Sequence, residues 1–380
     1  MEPNPLLKLQ TFGQSIWMDF IQRKIIRSGK LKKLIEEDGL RGVTSNPTIF
    51  EKAIGETDDY DEAIAGLARQ GKETREIYES LAIADIQAAA DLFRPTYDRL
   101  EGRDGFVSLE VNPHLAHDTA GTVAEARRLW ASVDRPNIFI KVPATLEGLP
   151  AIRQLISEGI NVNVTLLFGL PRYREVTGAY ISGLKDRLAA GKEIGSVASV
   201  ASFFLSRIDV LVDPLLERRM KEGSGQAAAA KNLRGKVAVA SAKIAYQMYR
   251  EIFQDGSFRD LAGRGAQPQR VLWASTSTKN PEYSDVKYVE PLIGPETVNT
   301  LPLKTIDAYR DHGNPAPRLE EDVEESRKDL AKLADLGMDI DRLTQQLEDE
   351  GVEKFNRPYD KLMRSIEKKR TETKGSSRKG

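Results

Sequence analysis

Short apolar segments rich in β-branched and aromatic residues alternate with longer amphipathic segments along most of this 380-residue chain. The short segments predict buried strands, and the longer ones predict helices. The predicted strands are SIWMD (15–19), LRGVTS (40–45), GFVSLEV (105–111), NIFIKV (137–142), NVNVTLLF (161–168), VASVASFF (197–204), RVLWAS (270–275) and YVEPLI (288–293). Strands that alternate with helices are typical of a parallel sheet. Eight such units predict an α/β fold of the (β/α)8 TIM barrel type, which takes about 250 residues, or more with insertions.

Helical periodicity fills the intervals between these strands. The predicted helices cover residues 20–39, about 59–100, 119–134, 148–159, 170–190 and 236–255. An open doubly wound sheet is the alternative arrangement of alternating strands and helices. No glycine-rich fingerprint follows the first predicted strand, so the barrel is favoured.

The character of the chain changes after residue 314, which divides it into three predicted regions. Residues 1–314 are expected to form the barrel and to carry catalysis. Residues 315–370 are highly charged with leucine and isoleucine at helical spacing, so they predict additional helices packed on the barrel. Residues 371–380, TETKGSSRKG, are polar and predict a disordered tail.

Charge and cysteine content narrow the possible functions. The 56 basic and 57 acidic residues give a net charge of -1, so no global charge attracts nucleic acid or an anionic membrane. The chain has no cysteine, which excludes disulfides, thiolate nucleophiles and thiolate metal sites. No signal peptide and no apolar run of about 18–20 residues is present, so a cytoplasmic protein is expected.

Polar side chains occur near the C-terminal ends of several predicted strands. Residues two apart on a strand share a face, so Lys141 lies on the face of Phe139, and Glu110 on the face of Ser108. Residues of this kind are Asp19, Asn46, Glu110, Lys141, Thr165, Ser202 and Ser275, and Asn163 shares the face of Thr165. Because barrel enzymes build their active sites at this end, we expect these residues to converge on one cavity.

Each of these residues also has a purely structural interpretation. Asp19 is placed to cap a helix, Asn46 before Pro47 suits a turn, and Thr165 and Ser202 suit hydrogen-bonded hydroxyls inside a barrel. A buried salt bridge is the structural alternative for Lys141 and Glu110. Convergence from separate strands favours a site over independent structural roles.

A lysine inside a barrel suits a particular kind of chemistry. Burial disfavours the charged form of an amine, and a neutral amine attacks a ketone to form a Schiff base, which serves as an electron sink for carbon–carbon cleavage. Glu110 and Asp19 are candidates for the separate proton transfers that this reaction requires. A lysine that only binds phosphate or carboxylate is the competing interpretation.

Eight segments of the chain match a known pattern. They are GQSIWMDFI, DGLRGVTSNPTIFEKAI, VSLEVNPHLAHDT, IFIKVPATLEGL, GINVNVTLLF, SFFLSRIDV, LWASTSTKNPEY and LIGPETVNTLP. Together, from about residue 5 to residue 305, they resemble the transaldolase family, and more closely its longer bacterial branch. The C-terminal region resembles that branch only in its charged helical character.

This resemblance implies a barrel of the class I aldolase kind that works without a cofactor or metal. It implies transfer of a dihydroxyacetone unit from sedoheptulose 7-phosphate to glyceraldehyde 3-phosphate, giving erythrose 4-phosphate and fructose 6-phosphate, in the non-oxidative pentose phosphate pathway. The expected partners are sugar phosphates, without nucleic acid or membrane, and the expected state is a monomer or a homodimer.

The resemblance also implies a role for each motif residue. It implies that Lys141 forms the Schiff base, that Asp19 deprotonates the C4 hydroxyl, and that Glu110 and Thr165 handle a catalytic water. The implied substrate-binding residues are Asn46, Asn163 and Ser202 for the dihydroxyacetone unit, and Arg207, Ser275 and Lys279 for the phosphate. Lys279 departs from the family pattern, in which many members have an arginine shortly after the serine that Ser275 matches. The three histidines, His114, His117 and His312, match no role. Ser45, Phe204 and Trp273 are candidates to line the pocket, but core packing is the favoured interpretation of the two aromatic residues.

Two rival functions remain at this stage. Fructose-6-phosphate aldolases use the same chemistry and release free dihydroxyacetone, but they are much shorter and carry glutamine at the position of Glu110. The other rival is a phosphosugar-binding or scaffolding protein without turnover, which the complete set Asp19, Glu110, Lys141 and Thr165 disfavours.

Overall fold

A closed barrel of eight parallel strands forms the centre of the computed structural model, which describes residues 4–222, 226–255 and 258–376. The strands follow chain order around the barrel, and the last pairs with the first. They are β1 Gln14–Asp19, β2 Gly42–Thr44, β3 Phe106–Glu110, β4 Ile138–Pro143, β5 Val162–Leu167, β6 Ser199–Phe204, β7 Arg270–Ala274 and β8 Thr297–Leu301. The predicted (β/α)8 barrel is confirmed.

Helices connect the strands and surround the barrel. Those in the described residues are α1 Pro5–Thr11, α2 Arg23–Arg27, α3 Lys30–Glu37, α4 Pro47–Phe50, α5 Asp61–Arg69, α6 Thr74–Arg99, α7 Thr119–Val133, α8 Gly148–Glu158, α9 Leu170–Ala189, α10 Ser206–Lys221, α11 Ala227–Leu233, α12 Val237–Arg250, α13 Arg259–Ala262, α14 Leu303–His312, α15 Val323–Asp335 and α16 Ile340–Ser376. Short π-helical turns follow α4 and α12, and 3-10 turns cover Pro113–Leu115 and Glu290–Leu292. None of the described helices has the length and apolar character needed to cross a membrane.

Seven strands lie where the apolar pattern predicts them, but the predicted eighth strand, 288–293, is wrong. Its centre is the 3-10 turn that contains Pro291, and the strand that closes the barrel is β8, a few residues later. Proline lacks the amide that a central strand needs for its ladder. The apolar side chains Val289, Leu292 and Ile293 are nevertheless fully buried. The apolar pattern therefore predicted correctly that this segment is buried, but not its secondary structure.

Two predicted helices are interrupted at glycines. The segment 20–39 forms α2 and α3, with Gly29 between them at φ 77°. The segment 59–100 forms α5 and α6, with Gly71 between them at φ 82°. Glycine adopts this left-handed conformation without the steric penalty that a β-carbon brings, so the chain turns there and each helix packs separately.

Aromatic rings fill the lower part of the barrel. Trp17 and Phe139 stack with ring centroids 6.0 Å apart, and Phe106 and Phe139 stack at 4.2 Å. Gly42 on β2 leaves room for the Trp17 ring, because a β-carbon there would lie 2.5 Å from Trp17 Cδ2. The rings fill the barrel on the N-terminal side of Asp19, Glu110 and Lys141, which follow on the same strands towards its C-terminal end.

The C-terminal region forms two helices, α15 and α16, that pack against different parts of the barrel. α15 packs on α12 at the outside of the barrel, whereas α16 crosses the C-terminal end of the barrel from β5 to the turn after α4. Gly351 lies against Leu166 at the end of β5, and Lys361 Nζ lies 2.6 Å from the Glu51 carboxylate. Residues 371–376, for which the sequence predicts disorder, continue α16, and 377–380 lie outside the described residues. The assignment of residues 1–314 as a separate catalytic domain stays a prediction.

Replacing Gly42 with alanine should destabilise the fold by about 1–3 kcal/mol, the usual effect of overpacking a tight core. The new methyl group would lie 2.5 Å from Trp17 Cδ2 and 2.8 Å from the Phe106 carbonyl oxygen, and backbone cannot easily move away. Urea unfolding measures the change. Gly66→Ala is the matched control, since no atom lies within 4 Å of its added methyl group inside α5, and it should stabilise by about 0.5–1 kcal/mol. Equal effects of the two substitutions would contradict the packing of Trp17 against β2.

Candidate active site

Lys141 and Glu110 form a buried ion pair at the C-terminal end of the barrel. They are direct neighbours in the register of β3 and β4, so their side chains enter the barrel side by side. Lys141 Nζ lies 3.3 Å from Glu110 Oε2, and the two side chains are only 5% and 7% exposed. Nζ also donates a hydrogen bond to the Ser45 carbonyl oxygen at 2.9 Å. The amine is therefore fixed by a carboxylate and a carbonyl group with little water around it.

Asp19, the last residue of β1, supplies a second carboxylate to the same space. Its Oδ1 accepts a hydrogen bond from the Thr44 hydroxyl at 2.7 Å, and that hydroxyl lies 2.7 Å from the Thr300 hydroxyl on β8. Burial raises the pKa of Asp19 above its ordinary value, while Lys141, the Thr44 hydroxyl, Lys279 and Arg207 oppose the shift. Asp19 therefore holds a proton more readily than an exposed aspartate does.

The pKa of Glu110 is also raised, and burial is the main cause. The charge of Lys141 opposes this shift, whereas the nearby charge of Asp19 adds to it. Two buried carboxyl groups near one amine, both with a raised pKa, can act as separate general acids and bases.

Amide and hydroxyl groups form a connected chain on the neighbouring strands. The Ser202 hydroxyl donates to Asn163 Oδ1 at 2.6 Å, and Asn163 Nδ2 donates to the Ser108 hydroxyl at 3.1 Å. The Ser45 hydroxyl donates to the Ser108 carbonyl oxygen at 2.7 Å. Asn163 is the register neighbour of Lys141 on β5, so this chain of polar groups begins next to the amine.

Thr165 lies two residues further along β5 than Asn163 and pairs with Pro143 of β4. Its hydroxyl is buried and has no hydrogen-bond partner among the described residues. The next residue, Leu166, adopts φ 55°, and the register between β5 and β6 shifts between Val164 and Leu167. Such an irregularity re-aims side chains at the end of a strand. An unpaired buried hydroxyl here is open to a substrate or water.

Arg207, at the start of α10, is the main cationic group at the mouth of the barrel. Its guanidinium carbon lies 5.6 Å from the ring centre of Phe204 and 5.7 Å from that of Phe355. Its Nη1 is buried without a hydrogen-bond partner in the part of the chain that the structure describes. Burial lowers the pKa of Arg207, opposed by Glu350, Asp19 and Glu110. Because an unpaired buried cation is costly, the arrangement favours an anionic ligand.

The loop after β7 brings further polar groups near Arg207. Ser275 adopts φ 54°, and its hydroxyl lies 2.9 Å from the hydroxyl of Ser206, the residue before Arg207. Lys279 donates to the Ser277 hydroxyl, and desolvation followed by the charge of Arg207 lowers its pKa. Lys279 is thus close enough to Arg207 to affect it, although its role as a phosphate ligand stays a prediction.

The remaining candidate residues differ in their surroundings. Asn46 Oδ1 accepts a hydrogen bond from the Ile49 amide at 3.0 Å and so caps α4, which leaves its substrate-binding role a prediction. Phe204 contacts Arg207 at the mouth of the barrel, whereas Trp273 is fully buried and donates to the Leu292 carbonyl oxygen outside the barrel.

The histidines pair with exposed carboxylates: His114 with Asp360, His117 with Glu147 and His312 with Asp285 and Asp311. Among the described residues, no group of three or more His, Asp or Glu side chains is arranged to hold a metal ion.

Sequence reasoning missed two residues of the site, Thr44 and Thr300. Thr44 lies on a correctly predicted strand, two residues before Asn46 and on its face, so the same parity pattern contained the signal. Thr300 lies on β8, which was predicted in the wrong place, so no parity could be assigned to it. Both hydroxyls act on Asp19, directly or through one another.

Comparisons with known proteins find matches over most of the chain. A family model described as "Transaldolase/Fructose-6-phosphate aldolase" matches residues 16–366. The chain is 49% identical over 373 residues to a protein named "Transaldolase" from Trichodesmium erythraeum, which covers 97% of this chain and 98% of the relative. It is 50% identical over 374 residues to "Transaldolase 2" from Nostoc sp. strain PCC 7120, with the same coverage. A "Transaldolase" from Thiobacillus denitrificans is 50% identical over 354 residues, 93% of this chain and 97% of the relative.

Asp19→Asn should raise the free energy of unfolding at pH 7 by roughly 1 kcal/mol, as often happens when a functional strain is removed. The raised pKa of Asp19 means that its contribution to stability is complete below the ordinary value of 3.8 and is lost as pH rises through the folded-state pKa. Asparagine does not ionise, so the variant does not lose this stability as pH rises. The free energy of unfolding of the variant should therefore exceed that of the parent by an amount that increases from pH 4 to pH 7. Urea unfolding across this range measures the difference.

Asp186→Asn is the control, because the pKa of Asp186 is lowered whereas that of Asp19 is raised. Its hydrogen bonds with Arg153 lower the pKa of Asp186, so its contribution is present above the ordinary value and lost as pH falls. This variant should gain nothing at neutral pH. If the difference in unfolding free energy between Asp19→Asn and the parent becomes smaller as pH rises, burial does not raise the pKa of Asp19 as described.

Proposed function

The chain belongs to the transaldolase/fructose-6-phosphate aldolase family, and we propose that it is a transaldolase that works through a Schiff base on Lys141. The proposed reaction moves a dihydroxyacetone unit from sedoheptulose 7-phosphate to glyceraldehyde 3-phosphate, giving erythrose 4-phosphate and fructose 6-phosphate in the non-oxidative pentose phosphate pathway. The observation that carries the proposal is the buried ion pair of Lys141 and Glu110. Asp19 is close enough for the charge of Lys141 to affect its pKa.

Imine formation is the first proposed step. Once the amine has lost a proton, Lys141 Nζ attacks the ketone carbon of the sugar, and the carbinolamine then loses water. Glu110, 3.3 Å from Nζ and with a raised pKa, is suited to accept the first proton and to return it to the leaving water. The unpartnered hydroxyl of Thr165 is available to hold that water beside Glu110.

Carbon–carbon cleavage is the second proposed step. The Asp19 carboxylate takes the proton of the C4 hydroxyl, the C3–C4 bond breaks, and its electron pair moves to the imine nitrogen to give a three-carbon enamine on Lys141. The aldose phosphate leaves and an acceptor aldehyde enters, which the enamine attacks while Asp19 returns the proton. The Thr44 hydroxyl stabilises the ionised form of Asp19, as deprotonation of an alcohol requires.

Substrate binding is divided along the site. The amide of Asn163 and the hydroxyl of Ser202 are suited to hold the hydroxyls of the dihydroxyacetone unit beside Lys141. Arg207, with a buried and unpaired Nη1, is suited to hold the phosphate at the mouth of the barrel, together with Ser275 and Lys279. The cytoplasmic location and the monomeric or dimeric state stay predictions.

Borohydride reduction in the presence of fructose 6-phosphate should attach sugar carbon to Lys141, and peptide mass mapping should locate it there. In the parent protein the adduct should include the three-carbon unit that remains after cleavage. Lys141→Ala should form no adduct and should lose transfer activity. An adduct on another lysine, or none, would overturn the proposed mechanism.

Asp19→Asn separates the two proposed steps in the same experiment. This variant should still form the imine, because Glu110 and Lys141 are intact, but it should trap the whole six-carbon sugar phosphate and show no transfer. A three-carbon adduct on this variant, with turnover near that of the parent, would refute the role of Asp19.

The distinction between transfer and release rests on Glu110 and on the relatives. The proteins that match 97% of this chain at about 50% identity are named transaldolases, which supports transfer. With fructose 6-phosphate alone, the protein should release little free dihydroxyacetone, and erythrose 4-phosphate should restore turnover by accepting the unit. Assays of dihydroxyacetone with and without the acceptor decide this, and release at equal rates in both would favour the aldolase activity.

A further inference from the structure

Phe355 brings the charged C-terminal region into contact with the candidate site. It lies on α16, far along the chain from the barrel strands, and is 3% exposed. Its ring centre lies 5.7 Å from the guanidinium carbon of Arg207, and the Phe204 ring lies at 5.6 Å. Both distances are within the range of a cation–π interaction. Two aromatic rings therefore hold the guanidinium, one from the barrel and one from α16.

Aromatic contacts, rather than ion pairs, orient Arg207. Within the described residues, Glu350, Asp19 and Glu110 affect Arg207 through their charge alone, and its Nη1 has no hydrogen-bond partner. Glu350, whose charge opposes the lowered pKa of Arg207, accepts hydrogen bonds from Lys354 and Gln346 instead, both at 2.7 Å. Ring contacts fix a guanidinium without using its N–H donors, so these donors remain available to a ligand.

α16 is held on both sides of Phe355. On one side, Glu348 pairs with Arg172 at 3.0 Å, and both residues are largely buried. On the other side, Lys361 pairs with Glu51, and Lys369 donates to the Thr57 carbonyl oxygen at 2.9 Å. Phe355 is therefore carried by a helix that is tied to α9 on one side and to the region after α4 on the other, which is what a positioning group requires.

We propose that Phe355 is a positioning residue that holds Arg207 ready for a phosphate ester, so that α16 sets the preference for phosphorylated sugars. This inference rests on the proposed function only for the identity of the sugar. The interaction of Phe355, Arg207 and a phosphate group does not require turnover. The proposed effect of Phe355 is exerted through Arg207, whose guanidinium its ring contacts.

The test is Phe355→Leu, which keeps an apolar side chain of similar size and removes the ring. Titration calorimetry with inorganic phosphate should show about three- to thirtyfold weaker binding, the range that one cation–π contact supplies. The KM for fructose 6-phosphate should rise by a similar factor, with kcat within twofold. Trapping of Lys141 by borohydride with free dihydroxyacetone, which has no phosphate, should be unchanged.

A double-mutant cycle separates positioning from simple packing. Arg207→Lys keeps the cation but removes the planar guanidinium that packs against the rings, so Phe355→Leu should weaken phosphate binding less in this background than in the parent. Leu362→Ala, a fully buried change elsewhere on α16, should lower stability without a selective loss of phosphate binding. Independent effects of Phe355→Leu and Arg207→Lys, or equal losses with phosphate and dihydroxyacetone, would overturn the proposal. If the parent protein binds phosphate but forms no adduct on Lys141, the proposed function fails while the role of Phe355 is still measured.

Discussion

Burial of charge at one end of the barrel is the constraint on which the rest of the site depends. Lys141 and Glu110 enter the barrel side by side because β3 and β4 are parallel and in register. Two charges removed from water are tolerated only when each finds partners nearby. The Ser45 carbonyl oxygen supplies one such partner for the amine. Each polar group around the pair can be understood as a response to this desolvation or as a group left open for a ligand.

Two buried polar groups that have no partners in the described part of the chain lie within the candidate site itself. The hydroxyl of Thr165 and the Nη1 of Arg207 are buried without hydrogen-bond partners among the described residues, one near the amine and one at the mouth. Native structures rarely leave buried donors and acceptors unused. A polyol that ends in a phosphate has both the hydroxyls and the charge to satisfy them. Under the proposed function, a sugar phosphate would supply partners for both groups.

The fold could be predicted from periodicity, and the site could be predicted in part. Alternation of strands and helices indicates the barrel, and side-chain parity alone places Asp19, Glu110 and Lys141 at one end of it. The error at β8 arose because YVEPLI has the more apolar sequence but contains proline, while TVNTL is half polar and forms the strand. Arg207 lies on a helix rather than a strand, so parity could not find it and only the motif resemblance did. The contact of Phe355 with Arg207 depends on packing between distant segments, which local sequence does not encode.

The crossing of α16 over the barrel has a consequence for when the protein becomes competent during its synthesis. β1 cannot complete its pairing until β8 has been made, and Phe355 emerges later still. Contacts between segments so far apart in sequence form late and slowly, because loop closure must come first. Lys141, Glu110 and Asp19 are synthesised in the first half of the chain, whereas Phe355 is synthesised long after them. Under the proposed roles of Lys141 and Phe355, a growing chain therefore carries its Schiff-base lysine for some time before Arg207 is held in position for a phosphate.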